Sequence, residues 1–421
     1  MNYNIAIQKK SDNVSFILFF TLSSFVFFRP LFLVEDNNPV LKYVYFLLLL
    51  VVIFSSLKSI SSKNHLQFSL PVKLLLVSIV LSIFSAYIFR GQDLFDSFLA
   101  AEYPVWGYAF YFYFVQRKTK IKNIEKIIFW VGMLFIIAFL ISFVVFPTRL
   151  FQYNKSVEDR GFQRILLTGS GFLFLLTFLA LNKLLVKRTL KWTVILLLCY
   201  LCVILSLTRV YILSTGIISL FYIWKKQNVF LKTVILAAAY IVVTIVAQLP
   251  VTQRLLTKTQ DDTEDIQDYI RFQSAQYYLT DFQPSIATLV LGNGFTYGDK
   301  TDYGRQMDQV QKQGFYVEDL GFLGLYIYMG ILAIIAYIII FYRSYKIKLP
   351  QKYFYLKMYV MFIFLNGVTN SGTFSESAVL SIVFTLYLFD AVKNQEKLIK
   401  MVQSGTDELN EENQENQIAI V

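Results

Sequence analysis

The sequence is poor in the side chains that most often bind metals or act as acid–base catalysts at neutral pH. Its 421 residues include one histidine, His65, and two cysteines. Cys199 and Cys202 form a C-x-x-C pair, a spacing that can indicate zinc or redox chemistry. They lie inside the apolar run WTVILLLCYLCVILSL, with no second pair and no histidine nearby, so we interpret them as membrane-buried side chains. We therefore expect no metal, no cofactor and no histidine-dependent catalysis.

Charged residues are also scarce. They make up 16% of the chain, compared with about 25% in soluble proteins, and hydrophobic residues make up 56%. One soluble core cannot contain so much apolar surface, so the composition favours an all-α, polytopic integral membrane protein. The net charge of +11 does not indicate a nucleic-acid partner, because basic residues in such proteins mark cytoplasmic loops.

Apolar runs recur along the chain at lengths that match a bilayer. A membrane-crossing helix needs roughly 20 apolar residues, and about twelve runs approach that length. They lie near residues 14–34, 39–57, 72–90, 95–115, 124–146, 165–185, 192–207, 210–224, 229–248, 319–342, 353–369 and 375–392. No small-residue cleavage site follows the first run, so we expect a retained helix. We predict a transmembrane domain over 1–392 and a disordered cytoplasmic tail over 393–421.

Basic residues favour one orientation of this domain. With the N-terminus inside, the segments QRKTKIK (116–122), KLLVKRTLK (183–191) and YRSYKIKLPQK (342–352) all fall on the inner side. Lysine and arginine are enriched in cytoplasmic loops. We therefore predict that both termini are cytoplasmic.

One connection is much longer than the others. Residues 249–318 form a single loop on the predicted outer face, and loops of this length are usually functional or disordered. Within it, DTEDIQDYIRFQSAQYYL has recurring apolar and aromatic residues and predicts an amphipathic helix lying on the outer membrane face. Pro284, Gly292 and Gly294 predict turns after this helix.

Ionisable side chains gather at the predicted outer ends of the spans. The candidates are Glu102, Arg160, Arg164, Arg209, Arg271, Glu318, Asp319 and Glu376, together with the polar Asn370. Each has a simpler interpretation, because an arginine at a span end can extend to lipid headgroups and an acid such as Asp319 can stabilise a helix N-terminus. Glu102 is harder to explain in this way, since an acid within the hydrocarbon is costly.

The combination is more informative than its members. Arginine binds phosphate and pyrophosphate oxygens through its planar fork. Aromatic faces suit sugar rings, and a carboxylate can accept the proton of an attacking hydroxyl. Together these groups suit a sugar linked to a lipid pyrophosphate.

Three stretches resemble the bacterial O-antigen and capsule repeat-unit polymerases, a family that is similar to the O-antigen ligases. LSLTRVYILSTGIISLF is similar to the family's Ser-Arg span junction, with Thr208 in place of the usual serine. RFQSAQYYLTDFQPSIATLVLGNGF is similar to the Arg…Pro…Gly-x-Gly stretch of its long outer loop. VEDLGFLGLYIYMGIL is similar to the acid-x-Gly-x-x-Gly start of the next span.

The resemblance implies a glycosyltransferase in the bacterial inner or plasma membrane, with its active site on the outer side. Its substrates would be undecaprenyl-pyrophosphate-linked oligosaccharides. Arg209 and Arg271 would bind the pyrophosphate, and Glu318 or Asp319 would be the catalytic base, with Arg160, Arg164, Glu102 and Glu376 as further candidates for substrate contact. A chain-length regulator and a flippase would be its partners, alongside membrane lipid.

Two alternatives remain open. Ligases of this kind carry a histidine in the long loop, whereas this sequence has Glu318 and Asp319 at that position, which favours a polymerase over a ligase-like transferase. A flippase or other transporter for the same lipids would place polar groups at the bilayer midplane and would show internal repeats, and we find no such repeat.

Overall fold

The computed structural model describes residues 14–24, 26–31, 39–62, 66–101, 107–146, 148, 150–151, 165, 167–226, 270–298, 301–370, 378–397 and 399. This part of the chain is mostly helical and contains no strand, which confirms the predicted all-α class. The predicted span at 229–248 and the chain beyond residue 399 lie outside the described residues.

The described part of the chain contains the following helices, in chain order. They are α1 (Val14–Ser24), α2 (Pro39–Ser61), α3 (Ser69–Arg90), α4 (Leu94–Ala100), α5 (Ala109–Arg117), α6 (Ile121–Val145), α7 (Ser170–Val186), α8 (Leu190–Leu205), α9 (Arg209–Lys226), α10 (Ile270–Leu279), α11 (Ile286–Leu291), α12 (Asp302–Lys312), α13 (Phe322–Met329), α14 (Ile331–Lys346), α15 (Tyr355–Gly367) and α16 (378–397). Short 3-10 turns lie at Val26–Phe28, Val317–Leu320 and Gln351–Tyr353.

Among the described residues, two helices are long and apolar enough to cross a membrane, judged by length and composition. These are α3 and α6. Five further apolar helical segments are shorter, namely α1, Leu47–Ser61, α7, α8 and Arg209–Trp224. The helices pack around a large aromatic and aliphatic core, to which all five of these shorter segments contribute.

Several predicted spans are not single helices. The first ends at Ser24, where the chain turns through residues with positive φ at Phe27, Phe28 and Arg29, a conformation that cannot continue a right-handed helix. The run at 95–115 contains α4 and α5 as separate helices. At the other end of the chain, α16 continues to residue 397, so the beginning of the tail predicted to be disordered is helical.

The predicted span at 319–342 is also broken. Its first helix, α13, ends because Gly330 adopts φ 74° and ψ −172°, and α14 begins directly after it. A helix end leaves its last carbonyl groups without partners inside the helix, and such groups are costly to bury unbonded. The carbonyls concerned here are those of Ile327, Tyr328 and Met329.

Two distant parts of the chain supply the donors for these three carbonyls. The backbone N–H of Asn293 donates to Ile327 O at 2.8 Å, and that of Gly294 donates to Tyr328 O at 2.9 Å. The Ser78 hydroxyl, from the middle of α3, donates to the Met329 carbonyl. The carbonyls at the break are therefore bonded by the 292–294 turn and by α3. These hydrogen bonds hold the turn against the bundle.

Backbone contact at this junction requires glycine. A Cβ atom on Gly292 would lie 2.4 Å from the Tyr328 carbonyl oxygen, and one on Gly330 would lie 2.3 Å from that of Val290. Gly292 also has a positive φ of 84°, and Gly294 has 73°, as the predicted turn requires.

The helices bring the basic connections together at one end of the bundle, which we call the basic end. The Tyr387 hydroxyl of α16 donates to Thr119 O at 2.8 Å, and the Asn182 amide of α7 donates to Lys352 O at 2.8 Å. Lys183 pairs with Glu125 of α6 at 2.9 Å. The connections at 116–122, 183–191 and 342–352, which the sequence grouped by charge, therefore share one end of the structure.

We expect Gly330→Ala and Gly292→Ala each to lower the free energy of unfolding by about 1–3 kcal/mol, because a side chain is strained at positive φ and would also overlap a carbonyl oxygen. Thermal unfolding of the purified protein in detergent measures this. Gly216→Ala is the matched control, since a Cβ atom there has no atom within 4 Å. Equal melting temperatures for all three variants would contradict the proposed packing.

Candidate functional site

Residues 270–298 and 301–321, which we call the cap, form a small helical unit with its own core. The core residues Tyr278, Phe282, Tyr303, Met307, Val310 and Val317 are all buried. The Tyr278 hydroxyl donates to Phe315 O at 2.9 Å and thereby ties α10 to the last part of the cap. Burial raises the pKa of Tyr278, so the phenol stays protonated and remains a donor.

The predicted amphipathic helix corresponds in its described part to α10. Its Tyr278 face is buried within the cap core rather than turned to the surface, while Phe272 is exposed. The earlier residues of the predicted helix lie outside the described part of the chain. Packing against the cap core therefore explains the apolar residues on the Tyr278 face of α10.

Helix α12 was not predicted. It begins at Asp302, where the hydroxyl of Thr301 accepts the backbone N–H of Gly304 at 3.0 Å as an N-cap. Tyr303, Met307 and Val310 follow at helical spacing and are buried in the cap core. The capping residue and this spacing are the sequence signals that could have identified it.

Arg90, the last residue of α3, holds the cap on the bundle. Its guanidinium donates to the Asn293 side-chain oxygen at 3.0 Å, to the Phe282 carbonyl at 2.5 Å and to the Gln306 side-chain oxygen at 3.1 Å. The same group lies 3.9 Å from the centroid of the Phe282 ring, within the range of a cation–π contact. Arg90 thus joins α3 to three separate points of the cap.

Gln92 adds a second connection just beyond Arg90. Its side-chain nitrogen donates to Phe295 O at 2.9 Å, and its side-chain oxygen accepts from Tyr297 N at 3.0 Å and from the Thr301 hydroxyl at 3.3 Å. Neither Arg90 nor Gln92 is among the candidate residues identified from the sequence. An arginine at the end of the bundle opposite the basic loops departs from the charge bias, and this departure is the signal that could have drawn attention to Arg90.

Glu318 and Asp319 lie together on the 3-10 turn that connects the cap to α13. Val317 and Leu320 are buried and anchor the turn, whereas both carboxylates are exposed. The Tyr328 hydroxyl donates to Glu318 at 3.3 Å, and the Tyr328 ring stacks on Phe295 of the cap with centroids 4.9 Å apart. Asp319 precedes α13 and is not part of its first turn.

The acid-bearing turn packs directly on the end of α15. Gly321, with φ 58°, approaches so closely that a Cβ atom there would lie 2.3 Å from the carbonyl oxygen of Gly367 and 2.6 Å from that of Val368. Only a glycine permits this approach. The position of Glu318 and Asp319 relative to α15 is therefore set by backbone contact.

Arg209 begins the helix that packs on the same end of α15. The hairpin predicted around it is confirmed, since α8 ends at Leu205 and α9 begins at Arg209. Near this start, the Asn370 amide donates to the Tyr211 hydroxyl at 3.2 Å, and Asn366 donates to Ser214 at 2.7 Å.

The other predicted site residues are placed as follows. Arg271 is half-buried and belongs to α10, which contacts the segment just before the acids through Tyr278 and Phe315. Glu102, Arg160, Arg164 and Glu376 lie outside the described residues. Within the described part of the chain, no three histidine, cysteine, aspartate or glutamate side chains form a group that could hold a metal ion. Cys199 and Cys202 are both buried as free thiols.

These contacts collect two carboxylates and two arginine-bearing helices at one end of the bundle. That end is opposite the basic end, because α9 and α15 both run from one to the other. Exposed carboxylates can accept protons, and guanidinium groups can bind phosphate oxygens. Neither a scan of protein-family models nor a search of curated proteins gives a match to this sequence.

We expect Arg90→Lys to loosen the cap, because one ammonium group cannot reproduce three guanidinium contacts in different directions. Trypsin should then cleave the cap at Arg305 or Lys312, both exposed on α12, about ten times faster than in the parent protein. Arg117→Lys at the basic end is the matched control. Identical cleavage rates in the parent protein, Arg90→Lys and Arg117→Lys would show that Arg90 does not hold the cap on the bundle.

Proposed function

We propose that the protein is a membrane glycosyltransferase that joins oligosaccharide repeat units linked to undecaprenyl pyrophosphate. In this proposal it spans the bacterial inner or plasma membrane about twelve times, with both termini in the cytoplasm. The acid-bearing turn and the start of α9 face the outer side. The observation that carries the proposal is that both elements pack on one end of α15, opposite the basic end.

The surface of α6 supports the membrane location. Five apolar side chains follow one another at helical spacing, and each is between 37% and 79% exposed, namely Trp130, Leu134, Ile137, Ile141 and Val144. The exposed face of a helix in a soluble protein is polar. A continuous apolar stripe of this length instead suits contact with lipid chains.

The distribution of charge supports the orientation. Lysine and arginine in short connections favour the cytoplasmic side, and the structure collects three such connections at one end. The opposite end carries Glu318 and Asp319 on its surface. The cap would then lie outside the membrane, where lipid-linked repeat units are assembled.

The proposed reaction is a glycosyl transfer between two lipid-linked glycans. A hydroxyl at the non-reducing end of one repeat unit attacks the anomeric carbon of the other and forms the new glycosidic bond. The bond from that carbon to the pyrophosphate oxygen breaks, and undecaprenyl pyrophosphate leaves with both bonding electrons. The hydroxyl proton passes to a carboxylate. The transition state is oxocarbenium-like, as in other glycosyl transfers.

The residues have separate roles in this proposal. Arg209 and Arg271 bind the pyrophosphate and stabilise the negative charge that grows on it. Glu318 is the preferred base, since its longer side chain is exposed and is oriented by the Tyr328 hydroxyl. Asp319, one residue nearer α13, is the alternative base.

A flippase is the second candidate, because broken helices line the substrate sites of many transporters. The break at Gly330 is a feature of that kind. The carbonyls that have no partner within the helix, however, already accept hydrogen bonds from Asn293, Gly294 and Ser78. They are therefore occupied in structural contacts, which favours the transferase over the flippase.

We expect Glu318→Gln to reduce polymerisation about 10²–10⁴-fold, the usual contribution of a general base, at unchanged protein level. Asp319→Asn should retain more activity if Glu318 is the base, and the order should reverse if Asp319 is. Asp308→Asn, an exposed acid on α12, is the matched control. Glycan ladders from cells that carry each variant measure the effect. Normal ladders from both Glu318→Gln and Asp319→Asn would exclude a catalytic role for the pair.

We expect Arg209→Lys to remain impaired, because a point charge cannot replace a bidentate fork on pyrophosphate. An arginine that only extended to headgroups would tolerate lysine. Arg305→Lys serves as the control, since that residue is exposed and pairs with Asp302 on the same helix. Full-length glycan ladders from Arg209→Lys at normal protein level would refute pyrophosphate binding by this residue.

A further inference from the structure

The basic end contains a cavity that the proposed transferase reaction does not use. Its volume is about 1070 Å³, and it lies between the connection from α5 to α6, the 3-10 turn at Gln351–Tyr353 and the last turns of α16. This volume is slightly above the usual range for small-molecule sites, which is about 300–1,000 Å³. It is large enough for a ligand of several functional groups.

Positive charge dominates the lining of this cavity. Five of its residues are lysines, namely Lys118, Lys120, Lys122, Lys352 and Lys397. The five are exposed and form its rim. They come from three separate segments of the chain, so the fold, and not one basic stretch, brings them around a common space.

One acid, Asp390, lies in the buried floor and is engaged elsewhere. One carboxylate oxygen accepts the backbone N–H of Gln67 at 2.7 Å. The other accepts the N–H of Phe68 at 3.2 Å and the Tyr111 hydroxyl at 2.5 Å. Asp390 therefore stabilises the start of α3, and the five lysines share the cavity with a single carboxylate that already accepts three hydrogen bonds.

Thr119 provides a second, independent observation. It lines the cavity and is 3% exposed, and its backbone carbonyl accepts from Tyr387. Its hydroxyl has no hydrogen-bond partner within the described part of the chain. A buried hydroxyl without a partner is costly, and a ligand oxygen in the cavity would satisfy it.

We propose that this cavity binds a ligand through its phosphate group. Lysine side chains at the rim, supplied by three segments of the chain, suit the spread charge of a phosphate, and the unpartnered Thr119 hydroxyl suits one of its oxygens. The volume accommodates a phosphate ester larger than inorganic phosphate. The phosphate could belong to an anionic lipid headgroup or to a soluble ester, and the experiment separates these sources. The inference does not depend on the proposed transferase activity, because the cavity lies at the opposite end of the bundle.

Binding to the purified full-length protein tests the proposal in two arms. In the lipid arm, native mass spectrometry counts phosphatidylglycerol molecules retained after extraction from nanodiscs of phosphatidylcholine and phosphatidylglycerol. In the soluble arm, glycerol phosphate is titrated against protein in phosphatidylcholine nanodiscs. Retention only in the first arm identifies a headgroup as the ligand, and binding only in the second identifies a soluble ester.

Two sets of variants connect the binding to the cavity. The triple variant Lys118→Gln, Lys120→Gln and Lys122→Gln should weaken binding at least tenfold. The matched triple Lys187→Gln, Arg188→Gln and Lys191→Gln removes the same charge from the same end outside the cavity and should leave binding unchanged. Thr119→Val, which keeps the shape of the side chain, should weaken binding about tenfold at a melting temperature no lower than that of the parent protein.

The proposal is overturned if both triples lose binding equally, because the effect is then one of general surface charge. It is also overturned if neither probe binds the parent protein, or if Thr119→Val and the cavity triple both bind as the parent does. Loss of binding confined to the cavity variants supports it.

Discussion

The break between α13 and α14 is the constraint on which the candidate site depends. Helical backbone in a buried or lipid setting must have its carbonyls bonded, and Gly330 leaves three of them open. The 292–294 turn and Ser78 close this gap. Since the turn belongs to the cap and Ser78 belongs to α3, one set of hydrogen bonds joins the cap, the broken helix and the bundle.

Further contacts fix the positions of Glu318 and Asp319 relative to this break. Arg90 holds the cap from the end of α3, and Phe295 stacks on Tyr328, which bonds Glu318. Gly321 allows the acid-bearing turn to pack closely on the end of α15. The same end of α15 contacts the start of α9. The carboxylates and Arg209 are therefore positioned by rigid elements, although they lie far apart in sequence. This is the kind of support that a reaction with a defined geometry requires.

Apolar runs predicted the positions of α3, α6 and the α8–α9 hairpin, because the residues that make a helix hydrophobic are consecutive in the sequence. The break at Gly330 could not be predicted from these runs, because the groups that bond its carbonyls lie in the turn at 292–294 and in α3. The role of Arg90 was hidden for the same reason, because its partner Asn293 is 203 residues away. Helix α12 is different, since Thr301 and the spacing of Tyr303, Met307 and Val310 were local signals that were not used.

We propose glycosyl transfer from a lipid pyrophosphate, and reconstitution tests this proposal most directly. The purified protein in nanodiscs would receive undecaprenyl-pyrophosphate-linked repeat units, with no nucleotide and no other protein. The measurement is the length of the lipid-linked glycan together with the amount of undecaprenyl pyrophosphate released. We predict glycans of two or more repeat units and one undecaprenyl pyrophosphate for each linkage formed. Repeat units that remain single, with no undecaprenyl pyrophosphate released by correctly folded protein, would contradict the claim.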